Sequence, residues 1–383
     1  MARPKKTPDV TENVSDVVEN DTDKNFKTFN KDVDDVFKVI DKMNPDAVYL
    51  NENALSNVTS WIDTGSYALN AIISGSLFKG VPVGRITGFY GPQATGKTTI
   101  LTKIMSNALK AGFRPIYFDT ESALDTSMAQ NFGCDVSKIK HVPIETVEDL
   151  KNQLLAFLSK LIEKNLKKRA CVFIDSIGNL STKKEFTDAE NEHNAQDMGL
   201  KAKLVSSLLR NITYKCAKAE VPVVFVNHVY EDPGAFTKSM IKKQPGGLKP
   251  LFISSVLVQL SGSMDKVDDS KGETSVLSSK VAGTYLRAFT TKNRFVPPFI
   301  ETSIYLNYKT GLNKYSGLVD LAEKYNILTK SGHSYVCNGE ILGGFNDLEN
   351  NVNFWDTIGL NLLEEKLKQD LTFSTEKPII HES

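Results

Sequence analysis

The chain has 383 residues, with 46 Lys and Arg against 46 Asp and Glu, a length that suits two or three domains and a neutral balance that leaves any polyanion binding to local patches. Hydrophobic residues make up 40% and charged residues 24%, as in an ordinary globular chain with a large core. The cysteines Cys134, Cys171, Cys216 and Cys337 lie far apart, so neither a disulfide framework nor a zinc site is expected, and a reducing compartment is.

No apolar run approaches the ~18 residues of a membrane span. The start, Met1–Lys6, has no apolar stretch behind it and is expected not to be a secretory signal. Residues 1–25 are polar and Pro- and Asn-containing, which predicts a loosely held arm. Phe26, Phe29, Val33, Val36, Phe37 and Ile40 then recur at spacings of three and four, predicting an amphipathic helix over 26–43. Its stripe packs either on its own domain or on a neighbouring subunit.

From Ile86 the pattern becomes strand–loop–helix alternation. Strands are predicted at 85–90, 114–119, 170–175 and 221–226, with helices at 98–111, 147–163 and near 199–219. The strand runs show no apolar–polar alternation, as expected of parallel strands covered on both faces. This βαβ repetition specifies an α/β doubly wound core, a mostly parallel twisted sheet with helices on both faces. Two further strands, 252–260 and 284–290, extend the sheet around a polar hairpin loop at 261–279. Beyond Gly317 come short helices and a hairpin near Tyr335–Ile341.

Gly91, Pro92, Gln93, Ala94, Thr95, Gly96, Lys97 and Thr98 satisfy G-x-x-x-x-G-K-[ST] between a predicted strand and a predicted helix. Backbone N–H groups of such a loop curl around phosphate oxygens, and the helix N-terminus adds a favourable dipole. Lys97 is expected to reach the β- and γ-phosphates and Thr98 to ligate Mg²⁺. Asp175 ends an apolar strand, where it can hold the metal through water or simply cap a helix. Glu121, at the end of 116–121, can activate a water or be a solvated loop acid. Asn227 and His228 end a third strand; His228 can sense a phosphate or be structural. Two long polar loops follow strand ends: 179–198, with Lys183 and Lys184, and 229–253, with Lys238, Lys242, Lys243 and Lys249 around Gly246 and Gly247. Lysines there can neutralise nucleic-acid phosphates while Gly-Gly admits close backbone approach, or the loops are merely solvated.

Together, Ile62–Asn70, Val83–Pro92, the phosphate loop, Phe118–Asp125, Phe173–Leu180 with Lys183-Lys184-Glu185, Asn227-His228 and Gly311–Leu321 resemble the RecA recombinases, most closely the T-even bacteriophage UvsX-type branch. The resemblance covers roughly residues 45–370. It implies a RecA-like P-loop ATPase core over 61–315, preceded by the arm 1–25 and an N-terminal docking helix and strand within 26–60, and followed by a small α+β domain over 316–383. It implies ATP and Mg²⁺ as cofactors, with ATP bound by residues 91–98, Thr99 and Asp125. Glu121 would be the catalytic carboxylate, Thr98 and Asp175 the metal side, and His228 the γ-phosphate switch. Loops 179–198 and 229–250 would bind DNA. Lys292 and Arg294 would enter the neighbouring subunit's ATP site.

The activity implied is that of a DNA-dependent ATPase forming helical filaments on single-stranded DNA, pairing it with duplex DNA and exchanging strands in recombination, repair and recombination-dependent replication. Its partners would include a recombination mediator and a single-strand-binding protein, and its location would be cytoplasmic, in the bacterial host if the chain is phage-encoded. A hexameric RecA-fold helicase and a non-catalytic accessory paralogue are the alternatives. Two departures stand out: Met128 replaces an aromatic near adenine, and the long acidic C-terminal tail of many relatives is lacking.

Overall fold

The computed structural model describes residues 32–50, 52, 55–122, 124–190, 198–228, 251–266 and 281–371. The predicted arm 1–25, and Phe26 and Phe29 of the predicted first helix, lie outside them. The chain forms two units, divided between Asn57 and Val58. In the first, residues 32–43 form helix α1, on which Val36, Phe37, Val39 and Ile40 are exposed. Tyr49 donates to Asp34 across this unit at 2.9 Å. Among the described residues of 44–60 there is no strand.

Among the described residues the second unit is organised by a nine-stranded sheet. A short antiparallel pair, β1 (Trp61–Ile62) and β2 (Val81–Pro82), precedes it in the chain. The central strands of the large sheet are β3 (Ile86–Gly91), β4 (Arg114–Asp119), β6 (Ala170–Asp175), β7 (Val223–His228) and β8 (Val256–Lys266). The spatial order is β11-β10-β9-β8-β3-β7-β6-β4-β5, where β5 is Lys140–Pro143, β9 Val281–Asn293, β10 Glu301–Asn307 and β11 Gly311–Leu312. The strands from β8 to β5 run parallel, and β9 to β11 are antiparallel.

Both faces of the parallel part are apolar. Cys171, Phe173, Val224 and Val226 enter one core, and Val172, Ile174, Val223 and Phe225 the other. Period-2 alternation is absent for this reason. One core is closed by α2 (Tyr67–Ser74) and α3 (Lys97–Lys110), the other by α5 (Val147–Glu163) and α7 (Met198–Ala219). On α5, Leu150, Leu154, Leu158 and Leu161 are buried, a stripe at helical spacing. Each such side chain contributes about 1.5–3 kcal/mol on burial.

The segment from residue 316 supplies Leu318, Trp355, Leu363 and Leu367 to the same core as α2 and α3. Glu364, on the helix Leu360–Leu371, accepts from Ser76 Oγ and Leu77 N at 2.7 Å each. The predicted hairpin is present as Ser334–Cys337 and Glu340–Gly343. Part of the predicted loop 179–198 is instead helical. Residues Lys183–Glu190 form α6, started by a reciprocal cap in which Glu185 N donates to Thr182 Oγ1 at 3.1 Å and Thr182 N to Glu185 Oε2 at 2.8 Å. Among the described residues no helix is long and apolar enough to cross a membrane.

Candidate active site

Parallel pairing places the carboxyl ends of β3, β7, β6 and β4 side by side. Gly91 lies opposite His228, and Asp119 opposite Asp175. In open α/β sheets this edge is where ligands bind.

The phosphate loop leaves β3 at Gly91 and enters α3 at Lys97. Gly96 caps the helix at φ 66°, and a Cβ there would lie 2.3 Å from Leu306 Cδ2. Conformation and space both demand glycine. Ala94 takes φ 59°, a strained choice for a residue with a Cβ and one that clusters at functional loops. The buried Lys97 ammonium donates to Gly91 O at 3.1 Å and Pro92 O at 2.7 Å. Burial lowers its pKa to about 8, with the charges of Asp175 and Glu121 pulling the other way. A buried cation whose acceptors are neutral carbonyls fits a phosphate chain.

Asp175 is buried, and its Oδ2 accepts from Thr98 Oγ1 at 2.7 Å and Tyr117 OH at 3.0 Å. Burial raises its pKa, and the Thr98 and Tyr117 donors oppose that rise. Tyr117 is itself pushed far up by burial and by Asp175, so its hydroxyl remains a donor. A hydroxyl and a carboxylate in contact offer hard oxygen ligands, the donor set Mg²⁺ takes.

Glu121 Oε1 meets Ser176 Oγ at 2.8 Å and His228 Nε2 at 2.8 Å. A carboxylate only accepts, so Nε2 carries the hydrogen; Nδ1 is buried with no hydrogen-bond partner among the described residues. The turn bearing Glu121 is fixed from below. Asp119 Oδ1 accepts from Glu121 N at 3.0 Å and Ser122 N at 2.8 Å, and its Oδ2 lies 2.9 Å from His141 Nε2. Thr120 Oγ1 receives Ser176 N at 2.8 Å. Lys97, Thr98, Glu121, Asp175 and His228, drawn from four separate segments, thus share one site.

The RecA N-terminal domain model matches residues 31–313. Protein RecA of Heliobacterium modesticaldum is 32% identical over 294 residues, covering 77% of this chain and 79% of that one. Protein RecA of Bifidobacterium breve is 30% identical over 297 residues, covering 78% and 70%, and that of Streptomyces ambofaciens 30% over 312 residues, covering 81% and 77%. The chain belongs to the RecA family.

Its RecA-like fold does not bring every predicted site residue to this edge. Lys292 pairs with Leu257 of β8, which pairs with Gly88 of β3. That register lies three residues before Gly91, about 10 Å back along the strand. The Lys292 ammonium donates to Phe252 O, ahead of β8, so it reaches away from the phosphate loop. Arg294 follows, exposed. Asn293 between them is tied to Ile72 O and Ile73 O at 3.0 and 2.9 Å.

Asp125 is exposed and accepts from Ser127 N and Met128 N at 3.0 and 3.2 Å, capping the short helix Thr126–Asn131. Lys183 pairs with Asp149 at 2.7 Å, and Lys184 is exposed. Lys238, Lys242, Lys243, Gly246 and Gly247 lie outside the described residues. Ser176, Asp119 and Tyr117 carried no role in the sequence reading. Ser176 and Tyr117 act on residues distant in the chain, which nothing local marks, whereas Asp119 accepts from the backbone N–H groups two and three residues on, a local turn pattern.

Proposed function

We propose that this RecA-family chain is a DNA-dependent ATPase and recombinase. It polymerises on single-stranded DNA, pairs that strand with homologous duplex and exchanges strands in recombination, repair and recombination-dependent replication. ATP binding favours the DNA-bound filament, and hydrolysis releases it. The branch we favour is the T-even phage UvsX type, supported by His228 where many relatives have Gln; the bacterial host cytoplasm, a mediator and a single-strand-binding protein follow from that assignment.

In this mechanism Lys97 and the N–H groups of residues 91–98 hold the phosphates. Mg²⁺, received by Thr98 and Asp175, would neutralise charge on the β- and γ-phosphate oxygens. Glu121, oriented by Ser176 and His228, takes the proton of the attacking water on its remaining oxygen. His228 couples the γ-phosphate to loop 229–250. Asp125 contributes on the nucleoside side, and lysines of 179–198 and 229–250 meet DNA phosphates.

The observation that carries the reading is the position of Lys292 and Arg294. Lys292 is level with Gly88, three register positions back from Gly91, and Arg294 lies just beyond the end of β9, which supports their serving the ATP of a neighbouring subunit. A filament, with an exposed docking stripe on α1, is the assembly that supplies such a neighbour. A strand-exchange assay with homologous and heterologous duplex, followed by electron microscopy with DNA and ATP, tests this. Homology-dependent product and open filaments are expected. Closed rings that unwind duplex would replace the recombinase with a helicase.

A further inference from the structure

Tyr117 has no part in the reaction outlined above, yet its hydroxyl ends on the carboxylate assigned to the metal side. Its ring is fully buried on β4 and stacks on His141 of the edge strand β5, with centroids 6.2 Å apart and planes 17° from parallel. His141 is in turn fixed by Asp119 Oδ2 at 2.9 Å. From this braced position Tyr117 OH donates to Asp175 Oδ2 at 3.0 Å, the same oxygen that accepts from Thr98 at 2.7 Å.

We propose that Tyr117 is a positioning residue for the metal site: its hydroxyl, braced by the His141 ring, holds the Asp175 carboxylate in the orientation that receives a divalent cation beside Thr98. The inference rests on the ATP–Mg²⁺ reading of the site. Two donors on one oxygen lock rotation of the carboxylate, because turning it breaks both bonds. Thr98 must also present its oxygen to the cation. The phenol has no second duty and is the constant member of the pair. Tying β4 to β6 does not require it, since those strands are already paired from Arg114–Ala170 through Asp119–Asp175. Partners that orient a ligand in this way typically set metal affinity by about 10–100-fold.

Tyr117→Phe keeps the ring, the stack and the burial and removes one hydroxyl. The test titrates Mg²⁺ into full-length protein at a fixed concentration of a fluorescent, non-hydrolysable ATP analogue. The readout is the Mg²⁺ concentration at half-maximal binding, with fluorescent ADP in excess EDTA as the metal-free control. We expect the half-point to rise about tenfold or more while metal-free ADP binding stays as in wild type. An unmoved half-point overturns the proposal, as does equal weakening with and without Mg²⁺, which is the mark of a merely structural residue. Wild-type binding that ignores Mg²⁺ altogether overturns the metal assignment and the proposal with it. Should Tyr117→Phe fail to fold, His141→Ala, at an exposed position on the edge strand, removes the brace and must raise the half-point. An unchanged value there is equally fatal.

Discussion

His228 Nε2 lies 2.8 Å from Glu121 Oε1, joining the end of β7 to the turn after β4, 107 residues apart in the chain. The contact ties the group assigned to sensing the γ-phosphate to the group assigned to activating water. A ligand that drew His228 away would alter the hydrogen bonding of Glu121, and residue 229, where the segment proposed to bind DNA begins, follows His228 directly in the chain.

Glu121→Gln preserves shape and an acceptor for Ser176 and His228 but removes the base. Hydrolysis should fall by about 10²–10⁴-fold, with ATP still bound and ATP-dependent complexes with single-stranded DNA persisting. Phosphate release and DNA-binding anisotropy measure the two effects. A variant that no longer binds ATP would make Glu121 structural.

Lys97 gives the site a pH dependence. Burial holds its free-protein pKa at about 8, so below that pH the ammonium is charged and ready for phosphate. Above it, binding must take up a proton, and ATP affinity should fall by about tenfold per pH unit until the pKa of the bound state is reached. Lys97→Arg, charged throughout, should remove this decline; calorimetry in buffers of different ionisation heat reads the proton uptake directly. For folding the sign is opposite. Because the folded pKa lies below the unfolded one of about 10.4, the unfolded chain holds more protons between pH 8 and 10.4. This group's burial penalty is present in full below pH 8, and stability rises as it is relieved across that window.

Lys242 and Lys243, assigned to DNA phosphates, predict a counter-ion effect. Replacing both with Ala should weaken single-strand binding and flatten the plot of log affinity against log salt by up to about 1.4, at about 0.7 for each phosphate no longer neutralised. An unchanged slope would remove this loop from the DNA backbone.

The phosphate loop was legible because phosphate chemistry compresses Gly91, Gly96, Lys97 and Thr98 into one string. Asp175 and the strand ends were legible from apolar runs that stop at polar residues. Glu121 remained open in the sequence because its partners come from elsewhere: Ser176 is 55 positions away and His228 is 107. Tyr117 is one aromatic within the predicted strand 114–119, and only the pairing of β4 with β6 brings its hydroxyl to Asp175. The helix Lys183–Glu190 was hidden by its polar composition, although Thr182 and Glu185 have the spacing of a reciprocal cap. Similarly β10 buries Thr302, Ile304 and Leu306, but Glu301, Thr302 and Ser303 are all polar, so no alternation of apolar and polar residues announces the strand.

Arg294 separates a site completed by a neighbour from one completed within the chain. Arg294→Ala protein keeps its own phosphate loop and should still bind ATP, yet hydrolysis should collapse, because a cation on the transferring phosphate of this kind is worth about 10³–10⁵-fold. Lys97→Ala protein has the converse defect: Arg294 is intact, but the loop cation is gone and it should be inactive alone. When the two are mixed on single-stranded DNA, interfaces that bring an intact Lys97 to an intact Arg294 arise wherever the subunits alternate in the correct order. At equal amounts about a quarter of interfaces are of this type if assembly is random, so activity should return, peak near equal mixing and vanish at either end. An Arg294 acting within its own chain gives no activity at any ratio, since every subunit then carries one defect. Cross-linking must first establish that mixed filaments form; with co-assembly demonstrated, absence of any regained hydrolysis would place Arg294 outside the neighbour's site.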